Sequence, residues 1–549
     1  MIRFRKGGGP LAGAVAAVLA CAVLPAPAAG TPAALPDART AGDAGGEDAG
    51  RERRVSVRDV TVPAADGTGL AATVYGPSGR GPHPLLVVPG PWIRLPLDHV
   101  TLVRRYRALA RAGYVVVAYD PRGFRRSGGR VDLAGPADVA DASRVLDWAL
   151  AHTSADATRV GALGTSYGGT VALNAAAHDH RVRAVVALSA WAELAGGFRI
   201  NGTRAAGVVR FQELFGRVDG RYGPEVEAAF DEAVTEDPEE PGAWVRERSP
   251  ASHVAGLNRH RTAVFMVGEW EDPIVPAGQT GAFVDRLAGP SHLRMYRGGH
   301  ADSHTAGTGL VDRPEAWEAS VAWLDQYVRD REQDGRDPQG GRGQRRWPAV
   351  ALQPRTGGPL EEYAGWAALQ EADRAVPLDG GRGSGRLVAG LPSAAESGPF
   401  PVAGPLDAVG VASVTSWPLL RPPTAAAYAG PPARWTVALR GHSLIRGVLV
   451  PDGPEGTVVV HLYDIAPTGE ARLLTHAPYS FTGRRPGGEH RFAVRLPATA
   501  WDVPAGHRLG VVFDTVDHRY LSENRVGRAL EVVPGSVRLT APLRDAREP

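Results

Sequence analysis

Arg159-Val160-Gly161-Ala162-Leu163-Gly164-Thr165-Ser166-Tyr167-Gly168-Gly169 is the stretch from which the chain is best read. Residues 160–163 form a short apolar run suited to a buried strand, and Gly164-Thr165-Ser166-Tyr167-Gly168 fits G-x-S-x-G, a sharp strand-to-helix turn that lifts a serine Oγ clear of the backbone. Such a turn leaves no room for Cβ atoms beside the serine, which accounts for Gly164 and Gly168. The small residues that follow (Gly169, Ala172, Ala175, Ala176) let the next helix lie close on a sheet, with the partial positive charge of its N-terminus aimed at a developing oxyanion.

Outward from this turn, strand and helix patterns alternate. Residues 55–62 and 70–75 flank Asp66-Gly67 as a hairpin. Residues 85–88 are a continuous apolar run, expected of a strand covered on both faces. A helical spacing over 100–112 leads to a strand over 114–119 that ends in Asp120-Pro121-Arg122-Gly123. A helix over 137–151 and strands over 158–163, 182–188, 263–268 and 292–296 continue the series, and a helix over 314–328 closes it. This alternation predicts a doubly wound α/β sheet of the α/β-hydrolase kind, with ligands beyond the carboxyl ends of the strands. Residues 191–257 break the rhythm with helical pieces, and read either as a cap over the site or as a peripheral excursion. Their acidic run, 236–240, reads as a solvated face, and Asn201-Gly202-Thr203 is a weak glycosylation sequon.

The strand over 263–268 runs into Glu269-Trp270-Glu271-Asp272-Pro273, where an acid partner for the serine belongs. Asp272 is the best placed, with Glu269 and Glu271 as alternatives. The strand over 292–296 runs into Gly298-Gly299-His300, which offers the base, with His304 as its rival. The order Ser166, Asp272, His300 is the α/β-hydrolase order. His300 and His304 also have the spacing of some zinc ligands, but no glutamate lies between them and no third ligand is evident, so neither a metal nor another cofactor is expected.

Composition narrows the remaining classes. At 549 residues two or three domains are expected, and a net charge of +2 makes no case for nucleic-acid binding. Lys6 is the single lysine, which excludes Schiff-base lysines, Ser–Lys dyads and a phosphate-loop lysine from the body of the chain. Residues 1–28 read as a signal peptide, with Arg3, Arg5 and Lys6 before an apolar run and Ala26-Pro27-Ala28 as the cleavage site. Val18-Leu19-Ala20-Cys21 also resembles a lipobox, so secretion is expected, with a lipid anchor on Cys21 as the alternative. Cys21 is the only cysteine, and residues 29–54, rich in Ala, Gly, Pro and Asp, read as a disordered tether.

Together, Tyr119-Asp120-Pro121-Arg122-Gly123-Phe124, Gly164-Thr165-Ser166-Tyr167-Gly168-Gly169, Trp270-Glu271-Asp272 and Gly299-His300 resemble the Xaa-Pro dipeptidyl-peptidase family, which includes cocaine-esterase-like acyl hydrolases. The resemblance spans residues 55–330 and continues more weakly to the end. It implies Ser166 as nucleophile, Asp272 as acid and His300 as base. It also implies an oxyanion hole from the Tyr167 N–H and a tyrosine hydroxyl after the third core strand. Here that loop reads Pro89-Gly90-Pro91-Trp92, with no tyrosine, so Trp92 is left to donate through its indole or its backbone N–H, or only to line the pocket.

Residues 331–346 read as a linker before a domain of different texture, residues 347–549. Period-two alternation, as in Phe492, Val494 and Leu496 against Arg491 and Arg495, predicts an all-β sandwich. It resembles the non-catalytic jelly roll of the same family, and by itself also suits a carbohydrate-binding module. Residues 348–432 are expected as loops and edge strands on the sandwich, with a helical candidate over 360–372. The function expected is a secreted serine hydrolase acting on a small ester or a short peptide. A dipeptidyl-peptidase would need a carboxylate for the substrate amine, for which Glu193, Glu213 and Asp219 are candidates, and a binding protein on a hydrolase fold is a third reading.

Overall fold

Along each core strand, successive side chains enter two different hydrophobic cores. Leu85 and Val87 belong to one and Leu86 and Val88 to the other; Val264 and Met266 oppose Phe265 and Val267 in the same way. A strand buried on both faces can only sit in a sheet with helices on each side. The computed structural model describes residues 55–94, 96–235, 242–302, 313–330, 345–379, 385–395, 397–398 and 403–545. These fall in one unit, Arg53–Pro549. The leader with Cys21 and Lys6, the tether, the acidic run 236–240, His304 and residues 331–344 of the linker lie outside the described residues.

The sheet has ten strands in the order β1-β2-β4-β3-β5-β6-β9-β10-β11-β12. The strands are β1 Ser56–Pro63, β2 Gly69–Gly76, β3 His83–Pro89, β4 Val115–Tyr119, β5 Ala155–Thr165, β6 Val182–Leu188, β9 Ala263–Glu269, β10 Ser291–Tyr296, β11 Val350–Leu352 and β12 Glu361–Tyr363. β7 (Arg199–Ile200) and β8 (Thr203–Arg204) form a separate small hairpin. From β4 to β11 neighbouring strands are parallel, while β1, β2 and β12 run antiparallel at the edges. Helices α1 (Pro96–Arg111) and α9 (Pro314–Leu324) cover one face through Leu102, Leu109, Ala319 and Trp323. Helices α2 (Pro136–His152) and α3 (Tyr167–His178) cover the other through Val145, Leu146, Val171 and Leu173.

The excursion between β6 and β9 is helical. It contains α4 (Ala206–Asp219), α5 (Pro224–Thr235), α6 (Ala243–Glu247) and α7 (Val254–His260), and α8 (Ala277–Val284) follows β9. The last part of the chain is an all-antiparallel β domain of two packed sheets, of eight and five strands. Its core is built from alternating residues such as Phe492, Val494, Val511 and Phe513. Asn201 of the sequon turns its amide onto the carbonyls of Pro478 and Arg495 in this domain, at 3.2 and 3.4 Å.

Two expectations need correction. Residues 350–352 and 361–363 extend the α/β sheet instead of the sandwich, because Val350 and Leu352 are buried beside β10 in parallel register with Leu293 and Met295. The helical spacing over 360–372 yields β12 and a single short turn, Ala367–Gln370. Trp366 is drawn against Trp270, with ring centroids 6.1 Å apart, and that contact outweighs local propensity.

Phe265 is fully buried among His292, Trp323 and Trp347. Phe265→Ala should therefore cost about 3–5 kcal/mol, read as a lower urea midpoint of the α/β domain followed by tryptophan fluorescence.

Candidate active site

β5 ends at Thr165 and α3 begins at Tyr167, leaving Ser166 alone to reverse the chain. It does so at φ 55° and ψ −121°, a left-handed angle that costs a residue with a Cβ about 1–3 kcal/mol. Around it the backbones touch. A Cβ on Gly164 would lie 2.2 Å from the carbonyl carbon of Gly168, and one on Gly168 would lie 2.1 Å from the Pro89 oxygen. Neither contact tolerates a side chain, so both glycines follow from steric exclusion. The Ser166 N–H donates to the Leu188 carbonyl at 2.7 Å, fixing the turn to β6.

The loops after β9 and β10 bring the sequence-predicted partners to this serine. With its proton on Nδ1, His300 donates to Asp272 Oδ2 at 2.7 Å and accepts from Ser166 Oγ at Nε2, also at 2.7 Å. Asp272 is itself fixed, accepting the backbone N–H groups of Ile274 and Val275 at 2.8 and 2.9 Å. Burial disfavours the imidazolium of His300, but the charge and hydrogen bond of Asp272 outweigh it and raise its pKa above the ordinary imidazole value. Both ring nitrogens of His300 are thus engaged, one by Asp272 and one by Ser166. The alternative acids are otherwise engaged: Glu269 accepts from Ser189 Oγ at 2.7 Å, and Glu271 pairs with Arg355 at 2.8 Å.

Tyr167 and Trp92 meet beneath the elbow, their ring centroids 5.3 Å apart. The Tyr167 side chain is fully buried and donates its hydroxyl to Asp138 at 2.5 Å, while its N–H, first in α3, has no partner within the helix. Burial, with the charge of Asp132 adding to it, pushes the Asp138 carboxyl up to about 8. The indole of Trp92 does not serve as a free donor. Its Nε1–H donates to the Gln212 carbonyl on α4 at 3.2 Å, because the small Gly216 lets the ring lie flat against that helix.

The loop carrying Trp92 is held by an ionic bracket that nothing in the local sequence announces. Arg125 donates to the Pro91 carbonyl at 3.1 Å, to Asp120 at 2.8 Å and to Asp219 at 3.2 Å, and the Arg94 N–H donates to Asp219 at 3.1 Å. Burial works against the Asp120 charge, but Arg125 and Arg94 outweigh it and hold this carboxyl below the usual range. The carboxylates considered for an amine site are thus mostly taken: Asp219 by this bracket, and Glu213 by Arg210 and Arg217 at 2.6 and 3.1 Å, while Glu193 is exposed. His304 lies outside the described residues.

Comparison with known proteins bears on the family and the fold. The X-Pro dipeptidyl-peptidase (S15 family) model matches residues 66–302, and the X-Pro dipeptidyl-peptidase C-terminal non-catalytic domain matches residues 343–548. Cocaine esterase of Rhodococcus sp. (strain MB1 Bresler) is 35% identical over 119 residues, 22% of this chain and 20% of that protein. The chain spans about half or less of the curated relatives it matches. Among solved structures, an aminopeptidase from a marine sediment Thaumarchaeota archaeon aligns with TM-score 0.68 at 15% identity, covering 94% of this chain and 99% of that one. An α-amino acid ester hydrolase aligns with TM-score 0.66 at 14% identity, covering 90% and 98%. At these identities the structural likeness shows the fold alone. The two matched domains, in this order and with the serine elbow inside the first, make the chain a member of the X-Pro dipeptidyl-peptidase (S15) family of serine hydrolases.

Proposed function

We propose that this protein is a secreted acyl ester hydrolase working through a Ser166–His300–Asp272 triad and an acyl-enzyme. The observation that carries the reading is the unbroken chain of 2.7 Å hydrogen bonds from Ser166 Oγ through His300 to Asp272 at a strained strand-to-helix turn. In this mechanism Ser166 Oγ attacks the substrate carbonyl while His300 Nε2 takes its proton. The tetrahedral intermediate expels the leaving alcohol, which receives that proton from His300. Water, deprotonated by the same nitrogen, then attacks the acyl carbon; the bond to Ser166 Oγ breaks, His300 returns the proton to that oxygen, and the acid is released. Asp272 holds the imidazole tautomer and steadies the imidazolium.

Tyr167 N–H supplies one oxyanion donor, and the backbone N–H of Trp92 the second. The commitment of the indole to Gln212 and the contact of Pro89 with the elbow support that choice. An ester is favoured over an Xaa-Pro peptide because Glu213 and Asp219 are already bound by arginines, Glu269 and Glu271 have partners of their own, and the remaining candidate, Glu193, is exposed to solvent, not buried to hold an amine. Secretion rests on the basic and apolar pattern of residues 1–28, with lipidation of Cys21 as the alternative.

A panel of short acyl esters and Xaa-Pro anilides tests the reading: esters should turn over faster, and faster anilide cleavage would instead make the protein a dipeptidyl-peptidase. Ser166→Ala should abolish turnover with the fold intact, since loss of a triad member costs several orders of magnitude; retention of a tenth of the rate would overturn the assignment. Because His300 must be neutral to accept the serine proton, and its pKa is raised, kcat/KM should rise with pH through an acid limb above about 6.5. A limb below that value would show that Asp272 does not act on the base. Trp92→Phe removes the bond to Gln212 and part of the packed ring but leaves the backbone N–H in place, so kcat should fall less than about tenfold; a loss of about a hundredfold with unaltered folding would put the indole in the oxyanion hole.

A further inference from the structure

Arg355 lies in the loop between β11 and β12, and its side chain is 2% exposed. Its guanidinium reaches in three directions. Nη1 pairs with Glu271, the residue before Asp272, at 2.8 Å. Nε and Nη2 form a fork on Asp407, the shortest contact being 2.8 Å. Nη1 also donates to the Leu474 carbonyl and, at 3.4 Å, to Thr499 Oγ1, both in strands of the β domain. Asp407 belongs to a short helix, α10 (Ala403–Ala408), that lies on the base loop. Its carboxylate accepts the Gly298 N–H at 3.4 Å, and a Cβ on Gly299 would stand 2.9 Å from the Gly404 Cα. Glu271 N–H in turn donates to the Gly298 carbonyl at 3.0 Å. One buried cation thus joins the acid loop, the base loop and the β domain.

We propose that Arg355, with Glu271 and Asp407, is a positioning device by which the C-terminal domain sets the Asp272–His300 contact, so that a domain described as non-catalytic in this family is required for the chemical step. The inference rests on the triad reading above. A fork of this shape is needed because a lysine cannot span two carboxylates and a carbonyl at once. Loosening it leaves the fold but frees both loops, and a displacement of about 1 Å in a triad is enough to cost about a hundredfold in rate.

The test uses the full-length protein with a short acyl ester and a fluorophosphonate probe of Ser166. Arg355→Lys keeps the charge, so the fields from Asp272, Glu269 and Asp302 on His300 change only through geometry. It should lower kcat about tenfold or more with KM within about threefold, and should move the acid limb of kcat/KM to lower pH as the Asp272 contact weakens. Leu449→Ala, in the β-domain core away from both loops, is the control for lost stability alone: it should lower Tm while leaving kcat and the acid limb unchanged. If Arg355→Lys does not fold, Asp407→Asn carries the same expectation, because Asn keeps one acceptor but cannot hold both Arg355 and Gly298. Either folded variant with wild-type kcat and an unmoved acid limb would overturn the proposal. A wild-type protein that neither reacts with the probe nor hydrolyses the ester would instead overturn the triad reading.

Discussion

A serine at φ 55° between two glycines whose neighbours touch backbone to backbone is the constraint on which this structure turns. That geometry is unfavourable in isolation and persists only because its surroundings over-determine it. The surroundings are β5, central in a sheet with both faces covered, and α3, all of whose residues from Tyr167 to Ala177 are buried. The small residues of α3 let it approach the sheet closely, and the Ser166 N–H is tied to β6. Strain at one residue is thereby offset by packing over a whole helix.

The parallel sheet then decides where the partners arrive. β5, β6, β9 and β10 are neighbours in space, so the loops at their carboxyl ends open on one edge of the sheet. Asp272 and His300 are far from Ser166 in the chain and adjacent in the fold for this reason alone. Their loops are irregular, and irregular loops need anchors of their own. Here the anchors are arginines: Arg125 and Arg94 for the loop carrying Trp92, Arg248 on Asp132 at 2.9 Å ahead of α2, and Arg355 for the acid and base loops. A chain with one lysine uses the planar fork of arginine wherever several acceptors must be held in fixed relation.

Buried ion pairs of this kind add little net stability, since desolvation offsets most of the attraction, yet breaking one leaves an uncompensated charge. Their value is geometric. Arg355 and Asp407 share a contact among three segments that the chain brings together from the loop after β11, the helix α10 and the turn before His300. Apolar packing could bury the same area, but it would not fix the direction of a carboxylate or a carbonyl in the same way.

Much of the architecture was legible from local pattern. Alternating apolar runs and helical spacings identify the doubly wound sheet, because a strand covered on both faces must be apolar throughout. The G-x-S-x-G turn declares itself through steric exclusion, which acts within five residues. The order Ser166, Asp272, His300 follows from strand ends that are themselves visible, and the period-two alternation of residues 490–496 reports the sandwich. Other features depend on residues that meet only after folding. The joining of residues 350–352 to the sheet edge, the collapse of the expected helix over 360–372 onto Trp270, the capture of the Trp92 indole by Gln212 and the seating of Arg355 between Glu271 and Asp407 are of this kind. The fold class and the strained serine turn can be read from the chain alone, because both are set by local sterics and periodicity. The contacts of Ser166, Asp272 and His300 with one another, of the Trp92 indole with Gln212 and of Arg355 with Glu271 and Asp407 come from tertiary structure, because hydrogen bonds and ion pairs between distant segments leave no periodic trace in the chain.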